Sequence, residues 1–121
     1  MLSVNANVNV FVYTQPTDLR KGFDGLSGIV RRELGADPLD GSLFLFFNRR
    51  RDRLKILFFD GSGFWVYYKL LEAGTFEEIR GEGPCVTIDA VQLSMLLSGV
   101  HLQASRRRRK RYCRPGSQDK K

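Results

Sequence analysis

The sequence predicts an α+β fold, with a small, mostly antiparallel sheet of four to five strands, two helices and a disordered basic C-terminal tail. Short apolar runs rich in aromatic residues alternate with turn sequences, a pattern typical of strands and hairpins. Two other segments repeat apolar residues at helical spacing. The end of the chain combines like charge with Pro, Gly and Ser, which disfavours a packed structure.

A first strand and a first helix are predicted in the N-terminal third of the chain. Valines alternate with other residues over positions 8–12, which indicates a strand with one buried face. Pro16 ends this strand, and Thr17 or Asp18 is expected to cap the helix. The apolar positions of the helix are Leu19, Phe23, Leu26, Ile29, Val30 and Leu34. Gly35 follows, where a left-handed residue commonly ends a helix.

Nine of the fourteen aromatic residues fall between Phe44 and Tyr68, where three antiparallel strands are predicted. Two turns separate these strands, at residues 48–53 and 60–63. Because the apolar positions of the strands fall on both faces of the sheet, both faces need cover. We expect the first helix on one face, and the second helix or another protein chain on the other.

The segment after the three strands is predicted to hold an edge strand and a second helix. Residues 76–80 are the expected edge strand, followed by a loop at residues 81–84. Asp89 and Gln92 have the spacing of a capping box at a helix start. The expected apolar stripe of this helix consists of Val91, Leu93, Met95, Leu96 and Leu97. Gly99 is expected to end the helix.

Length and charge predict one domain, residues 1–103, followed by a basic tail, residues 104–121. The domain holds 11 Lys and Arg against 12 Asp and Glu, whereas the tail holds 9 against 1. The net charge of +7 therefore comes from the tail. Such a block of like charge should be disordered alone and should bind a polyanion such as DNA with little base preference.

The cysteines and the apolar segments predict a cytoplasmic protein. Cys85 and Cys113 lack the paired spacing of disulfides or metal sites, so a reducing compartment is expected. We expect no signal peptide, because the first residues have neither a basic leader nor a long apolar run, and no stretch approaches the roughly 20 apolar residues of a spanning helix. We therefore expect no membrane contact, no metal and no cofactor.

The first turn of the aromatic segment is the strongest candidate for a nucleic-acid contact. Its cations are Arg49, Arg50, Arg51, Arg53 and Lys55. Because like charges repel, we expect the sheet to gain nothing from these residues, whereas guanidinium groups match phosphate. Bases could also stack on aromatic residues of the flanking sheet. The alternative is a solvated turn whose cations pair with Asp52 and Asp40.

Two further sets of cations are candidate contacts with DNA. Arg20 and Lys21 are expected in the first turn of the first helix, where free N–H groups and positive charge attract an oxyanion. The alternative there is an ion pair between Arg20 and Asp24 beside a solvated Lys21. The tail contributes Arg106, Arg107, Arg108, Arg109, Lys110 and Arg111.

Three glycines recur within the predicted first helix, at Gly22, Gly25 and Gly28. Each costs up to about 1 kcal/mol relative to alanine in a helix interior. Close approach of the helix to the sheet is expected to compensate for this cost. The alternative is a smooth helix surface for a partner protein.

No arrangement of residues predicts an enzyme. The single histidine, His101, has no partner at a catalytic or metal-binding spacing. A small metal-dependent nuclease is the remaining alternative, and its candidate carboxylates are Asp18, Asp24, Asp40, Asp52 and Asp60. However, Asp18 fits a helix cap, and Asp40 and Asp60 adjoin turn glycines, where aspartate is common for local reasons.

Four segments of the sequence closely resemble one family of mobile-element proteins. They read TDLRKGFDGL at residues 17–26, NRRRDRLKIL at 48–57, DGSGFWVYYKLLEAGTF at 60–76 and DAVQLSMLLSGV at 89–100. These motifs are similar to those of the accessory proteins of insertion sequence 66 transposons, the products of the second reading frame, often labelled TnpB. The RNA-guided nucleases that share this label are a different group.

The resemblance implies a bacterial protein that is encoded beside a separate, larger transposase and is needed for full transposition. Together with the charge pattern, it predicts a non-enzymatic accessory factor that binds DNA through its basic groups and contacts the transposase. The aromatic sheet or the glycine-rich helix is the expected transposase contact, and self-association is open. The alternative is an adaptor between proteins that does not bind DNA. The DNA-binding role of the tail rests on its charge alone.

Overall fold

The computed structural model describes residues 8–99, which form a five-stranded sheet and two helices. The strands are β1 (Val10–Tyr13), β2 (Leu43–Phe47), β3 (Arg53–Phe59), β4 (Phe64–Leu70) and β5 (Cys85–Ile88). The helices are α1 (Phe23–Arg32) and α2 (Ala90–Leu97). The predicted α+β class is confirmed. Within the described range, neither helix is long and apolar enough to cross a membrane.

The sheet has the strand order β4-β3-β2-β1-β5, and all of its pairs are antiparallel except β1 with β2. The parallel pair is joined through α1, as parallel neighbours require a crossover connection. The three aromatic strands β2, β3 and β4 form the predicted antiparallel meander. Its second turn sets the register, because Phe59 pairs with Phe64 and Lys55 therefore pairs with Tyr68.

The fifth strand lies at β5 rather than at residues 76–80, so that prediction is wrong. β5 pairs with β1, and its buried residues Val86 and Ile88 alternate with two less buried ones. The segment around Phe76 instead crosses one face of the sheet. The Phe76 ring is buried against Phe47, at 5.6 Å between ring centroids, and its N–H donates to the Arg51 carbonyl. Burial of this aromatic ring keeps the segment away from a sheet edge.

Both faces of the sheet are covered at β2 and β3, as the two-sided apolar pattern predicts, whereas no residue of β4 is buried. α1 covers one face, and the core there consists of Leu26, Ile29, Val30, Phe44, Phe46 and Leu57. The opposite core contains residues from four strands together with Phe76, Leu93 and Leu96. The second helix therefore helps to cover the second face.

α1 begins later than predicted. Its N-cap residue is Gly22, which offers no side-chain cap, so the predicted caps Thr17 and Asp18 are wrong. Thr17 is buried, and its N–H donates to the Phe47 carbonyl at 2.8 Å, which fastens this segment to the end of β2. Gly35 adopts φ +61° after the helix, as the sequence predicts.

α2 begins at the predicted capping box. The Asp89 carboxylate accepts the N–H of Gln92 at 2.7 Å, and the Gln92 side chain accepts the N–H of Asp89 at 2.9 Å. The buried residues of the helix are Leu93 and Leu96, whereas Val91 is 68% exposed and is not part of the apolar contact.

Candidate nucleic-acid interface

The turn between β2 and β3 is built by Asn48 and Asp52. The Asn48 side-chain oxygen accepts the N–H groups of Asp52 and Arg53, at 3.1 and 3.0 Å. Its amide nitrogen donates to the Asp52 carboxylate at 2.7 Å, and this hydrogen bond is the main reason that the pKa of Asp52 is lowered. The Asp52 carboxylate is thus used in a hydrogen bond within the turn itself.

The side chains of Arg49 and Arg50 are exposed at the end of this turn, and we call these two residues the hairpin tip. Within residues 8–99, neither forms a salt bridge with a carboxylate. Asp40, the second acid expected to pair with them, accepts the N–H of Ser42 instead. Two guanidinium groups therefore face solvent with their charge uncompensated by an ion pair in the described chain.

Arg51 differs from its neighbours, because its guanidinium is used within the fold. It lies 4.2 Å from the centroid of the Phe47 ring and donates to the carbonyl of Glu77 at 2.6 Å, with a longer contact to the carbonyl of Phe76. Burial lowers the pKa of Arg51, and the nearby Glu78 and Glu77 oppose that shift. The expectation that the sheet gains nothing from these arginines is wrong for Arg51.

Arg53 and Lys55 on β3 meet Lys21 and Tyr68 on one face of the sheet. The Lys55 ammonium donates to the Lys21 carbonyl at 3.1 Å and lies 5.3 Å from the centroid of the Tyr68 ring. The Arg53 guanidinium reaches the Tyr68 hydroxyl at 3.4 Å. We call Lys21, Arg53, Lys55 and Tyr68 the basic patch. The structure thus brings the Lys55 ammonium to the main chain of Lys21, 34 positions earlier in the sequence.

Arg20 lies before α1 rather than in its first turn, and its partner is Asp18 rather than Asp24. The Arg20 guanidinium forms a salt bridge with the Asp18 carboxylate at 2.8 Å, and the same carboxylate accepts the Arg20 N–H at 3.0 Å. The hydrogen bonds from Arg20 hold the pKa of Asp18 well below its usual range. Arg20 is therefore a partly compensated charge at the border of the basic patch.

The glycines of the α1 region do not serve close packing against the sheet, so the packing interpretation is wrong. A Cβ at Gly25 would lie 2.9 Å from Cβ of Lys21, and one at Gly28 would lie 2.7 Å from Nη1 of Arg32. These nearest atoms belong to long basic side chains that run along the helix. Gly25 and Gly28 give those side chains room.

Four of the five aspartates considered for a metal-dependent nuclease have separate local partners, namely Asp18, Asp40, Asp52 and Asp60. Asp60 accepts hydrogen bonds from three backbone or side-chain groups of its own turn and from Trp65, and Asp52, Asp18 and Asp40 are occupied as described above. Over residues 8–99, no group of three or more His, Cys, Asp or Glu side chains is placed to hold a metal ion.

The tail cations Arg106 to Arg111 lie outside the described residues, so their place relative to the basic patch is a sequence prediction only. The sequence interpretation missed Tyr68 as a site residue. The register of the second hairpin could have revealed it, because a turn that pairs Phe59 with Phe64 also places Tyr68 beside Lys55.

A protein-family model described as IS66 Orf2 like protein matches residues 8–107 of this chain. The chain belongs to this family. The match contains all five strands, both helices, the hairpin tip and the basic patch. The resemblance to proteins of insertion sequence 66 is thereby confirmed, and the family indicates an accessory role in transposition.

Two relatives come from Sinorhizobium fredii (strain NBRC 101917 / NGR234). The chain is 41% identical to the uncharacterized protein y4hO over 100 residues, which cover 83% of this chain and 87% of the relative. It is 35% identical to the uncharacterized protein y4jC over 115 residues, which cover 95% and 97% of the two chains. No solved structure matches this IS66 Orf2-like chain significantly.

Proposed function

We propose that this IS66 Orf2-like protein is a non-enzymatic accessory factor that binds DNA during transposition and contacts the element's transposase. The DNA contact consists of the hairpin tip, the cations of the basic patch and the basic tail. Arg20 lies at the border of this surface, and Arg51 supports it from within the fold.

The observation that carries the proposal is the hydrogen bond from the Lys55 ammonium to the Lys21 carbonyl. It fastens the Lys55 side chain of β3 to the main chain of the segment before α1, which also carries the Lys21 side chain. Within residues 8–99, the salt bridges are Arg20 with Asp18 and Arg80 with Glu78, so no cation of the patch or the tip forms one. Asp52 is a nearby charge for Arg50 and Arg53 without such a bridge, and a phosphate backbone offers the direct ion pairs.

The chemistry of the exposed groups also favours phosphate. Arg49, Arg50 and Arg53 present planar guanidinium forks that can donate two parallel hydrogen bonds to one phosphate, while Lys21 and Lys55 act as point charges. The turn that carries Arg49 and Arg50 is fixed by the hydrogen bonds of Asn48 and Asp52. The backbone of the turn therefore needs little further ordering when DNA binds.

The test compares the salt dependence of DNA binding between two double variants of the full chain. Arg49→Ala with Arg50→Ala removes the hairpin tip, and Arg31→Ala with Arg32→Ala removes the same charge from the last turn of α1. Fluorescence anisotropy with a labelled DNA gives the slope of log affinity against log salt. We expect the tip variant to flatten this slope by about 1.4 to 1.8, since each of two phosphate contacts contributes roughly 0.7 to 0.9.

The matched α1 variant is expected to keep the wild-type slope. Equal flattening in both variants would show that only net charge matters and would remove the hairpin tip as a contact. Absence of DNA binding by the wild-type chain, even at low salt, would overturn the proposed function.

The second candidate function is an adaptor that joins proteins of the transposition complex without DNA. Two large apolar side chains favour it, because Trp65 is 62% exposed and Val91 is 68% exposed. Exposed aromatic residues are enriched in protein interfaces. Co-purification with the transposase after nuclease treatment supports a direct protein contact, and Trp65→Ala or Val91→Ala should weaken that contact. Loss of co-purification after nuclease treatment would show that DNA links the two proteins and that they do not contact each other directly.

A further inference from the structure

Tyr68 is the aromatic residue of the basic patch, and it is 50% exposed. It lies on β4, one of the two edge strands of the sheet, directly across from Lys55. The Lys55 ammonium lies over the Tyr68 ring, 5.3 Å from its centroid, and the Arg53 guanidinium reaches its hydroxyl at 3.4 Å. A base can therefore stack only on the part of the ring that Lys55 leaves exposed, with a positive charge over the ring and another at its hydroxyl.

Other exposed aromatic residues are placed differently. Phe23 stacks on Phe64 with 5.4 Å between ring centroids, so its ring already has an aromatic partner. Trp65 is on the opposite face of β4, because successive strand residues alternate between faces, and its indole N–H donates to Asp60 at 2.7 Å. Tyr68 is thus exposed and lies on the same face of the sheet as its neighbouring cations, Arg53 and Lys55.

A ring with this environment distinguishes two forms of DNA. In a duplex the base faces are stacked on one another, and a protein meets mainly phosphates and base edges. In a single strand the base faces are open, and stacking on an aromatic ring stabilises the complex while cations hold the adjacent phosphates. The phosphate contacts of the tip and the patch suit both forms, whereas an exposed ring contributes only with unpaired bases.

We infer that Tyr68, bordered by Lys55 and Arg53, is a stacking site for an unpaired nucleobase, and that single-stranded DNA is the form this surface prefers. The inference rests on the proposed DNA-binding function and names its substrate class. Lys55 and Arg53 hold the phosphates on either side of the stacked base.

The experiment measures binding of the full chain to three labelled ligands: an oligothymidylate about 16 nucleotides long, an abasic strand of equal length, and a duplex. The abasic strand keeps the phosphates and lacks the bases. We expect the wild type to bind the oligothymidylate most tightly. Tyr68→Ala should weaken binding to the oligothymidylate about tenfold and leave binding to the abasic strand unchanged.

Two variants control for the ring and for the face of the strand. Tyr68→Phe keeps the ring and should bind the oligothymidylate like the wild type. Trp65→Ala removes an exposed aromatic from the opposite face and should leave all three affinities unchanged. If Tyr68→Ala does not fold, Tyr68→Leu, which keeps apolar bulk on β4, takes its place in the same comparison.

Equal affinity of the tyrosine and alanine variants for the oligothymidylate, or an equal loss with the abasic strand, would overturn the stacking site. The proposed DNA-binding function would survive that result, because phosphate contacts alone explain it. Failure of the wild type to bind any of the three ligands at low salt would instead overturn the proposed function itself.

Discussion

Arg51 joins the β2–β3 turn to the chain segment that follows β4. Its guanidinium donates to the carbonyls of Glu77 and Phe76, and the Phe76 N–H returns a hydrogen bond to the Arg51 carbonyl at 2.7 Å. Arg51 also adopts φ +61°, a conformation that is rare for a residue with a long side chain. The surrounding contacts hold this backbone conformation in place.

Arg51→Ala is expected to lower the free energy of unfolding by about 1 to 3 kcal/mol, because it leaves buried carbonyl groups without their charged donor. Urea unfolding of the full chain measures the change. Arg49→Ala, which removes the same side chain two positions earlier in the turn, serves as the control and should be nearly neutral. Equal effects of the two substitutions would mean that the Arg51 contacts add nothing to stability.

At the residue scale, the sequence could predict exposed charge but not the partner of each charge. The tip residues Arg49 and Arg50 are exposed as a charged turn implies. The contact of Arg51 with Glu77 joins residues 26 positions apart, so no local sequence pattern could predict it. The alternative interpretation of Arg20 pairs it one helical turn ahead, but the helix begins only at Phe23, so the helical spacing does not apply to it.

At the scale of elements, the β3–β4 turn is organised by one carboxylate. Asp60 accepts the N–H groups of Ser62 and Gly63, each at 2.9 Å, the Ser62 hydroxyl at 3.1 Å, and the indole N–H of Trp65 at 2.7 Å. These hydrogen bonds, led by the one from the Ser62 backbone, lower the pKa of Asp60 to about 2. The carboxylate must therefore be ionised for the turn to keep its full set of strong hydrogen bonds.

The lowered pKa of Asp60 predicts how stability depends on pH. Its folded pKa lies below the unfolded value of about 3.9, so its contribution is present above that value and is lost as the pH falls toward 2. We expect Asp60→Asn to remove this part of the pH dependence, so that wild type and variant differ more at pH 5 than at pH 2.5. Urea midpoints across this range measure the difference.

The control for Asp60 is Asp37→Asn, since Asp37 accepts one backbone N–H in a different turn. This variant should keep the pH dependence that Asp60 contributes. Trp65 is the single tryptophan, so its fluorescence reports the same turn directly. Parallel stability curves for wild type and Asp60→Asn would show that ionisation of Asp60 does not contribute.

Elements with local signals could be predicted from the sequence, and elements that depend on distant partners could not. The capping box of α2 involves residues three positions apart, so its spacing is sufficient. β5 pairs only with β1, and residues 76–80, with Phe76 and Ile79, are a second short segment that carries apolar residues. The start of α1 is set by the Thr17 contact with β2, which favours an extended segment where a cap was expected.

At the scale of the whole molecule, the net positive charge lies outside the predicted domain. The predicted domain is nearly neutral, yet Arg53 and Lys55 both contact Tyr68, and Lys55 also reaches the main chain of Lys21. The positive excess belongs to residues 104–121. A nearly neutral body avoids strong self-repulsion, while clustered cations still attract a polyanion locally. The candidate site could thus be found in part from composition, but its grouping required the folded sheet.

The basic tail should supply a large share of the salt dependence of DNA binding. Deletion of residues 104–121 removes nine Lys and Arg residues, so we expect the slope of log affinity against log salt to flatten by several units. A chain of unchanged length, with residues 106–111 replaced by glutamine, separates charge from length and should flatten the slope nearly as much. Binding should persist at low salt through the hairpin tip and the basic patch. An unchanged slope after deletion would remove the tail as a DNA contact and leave the folded surface as the whole site.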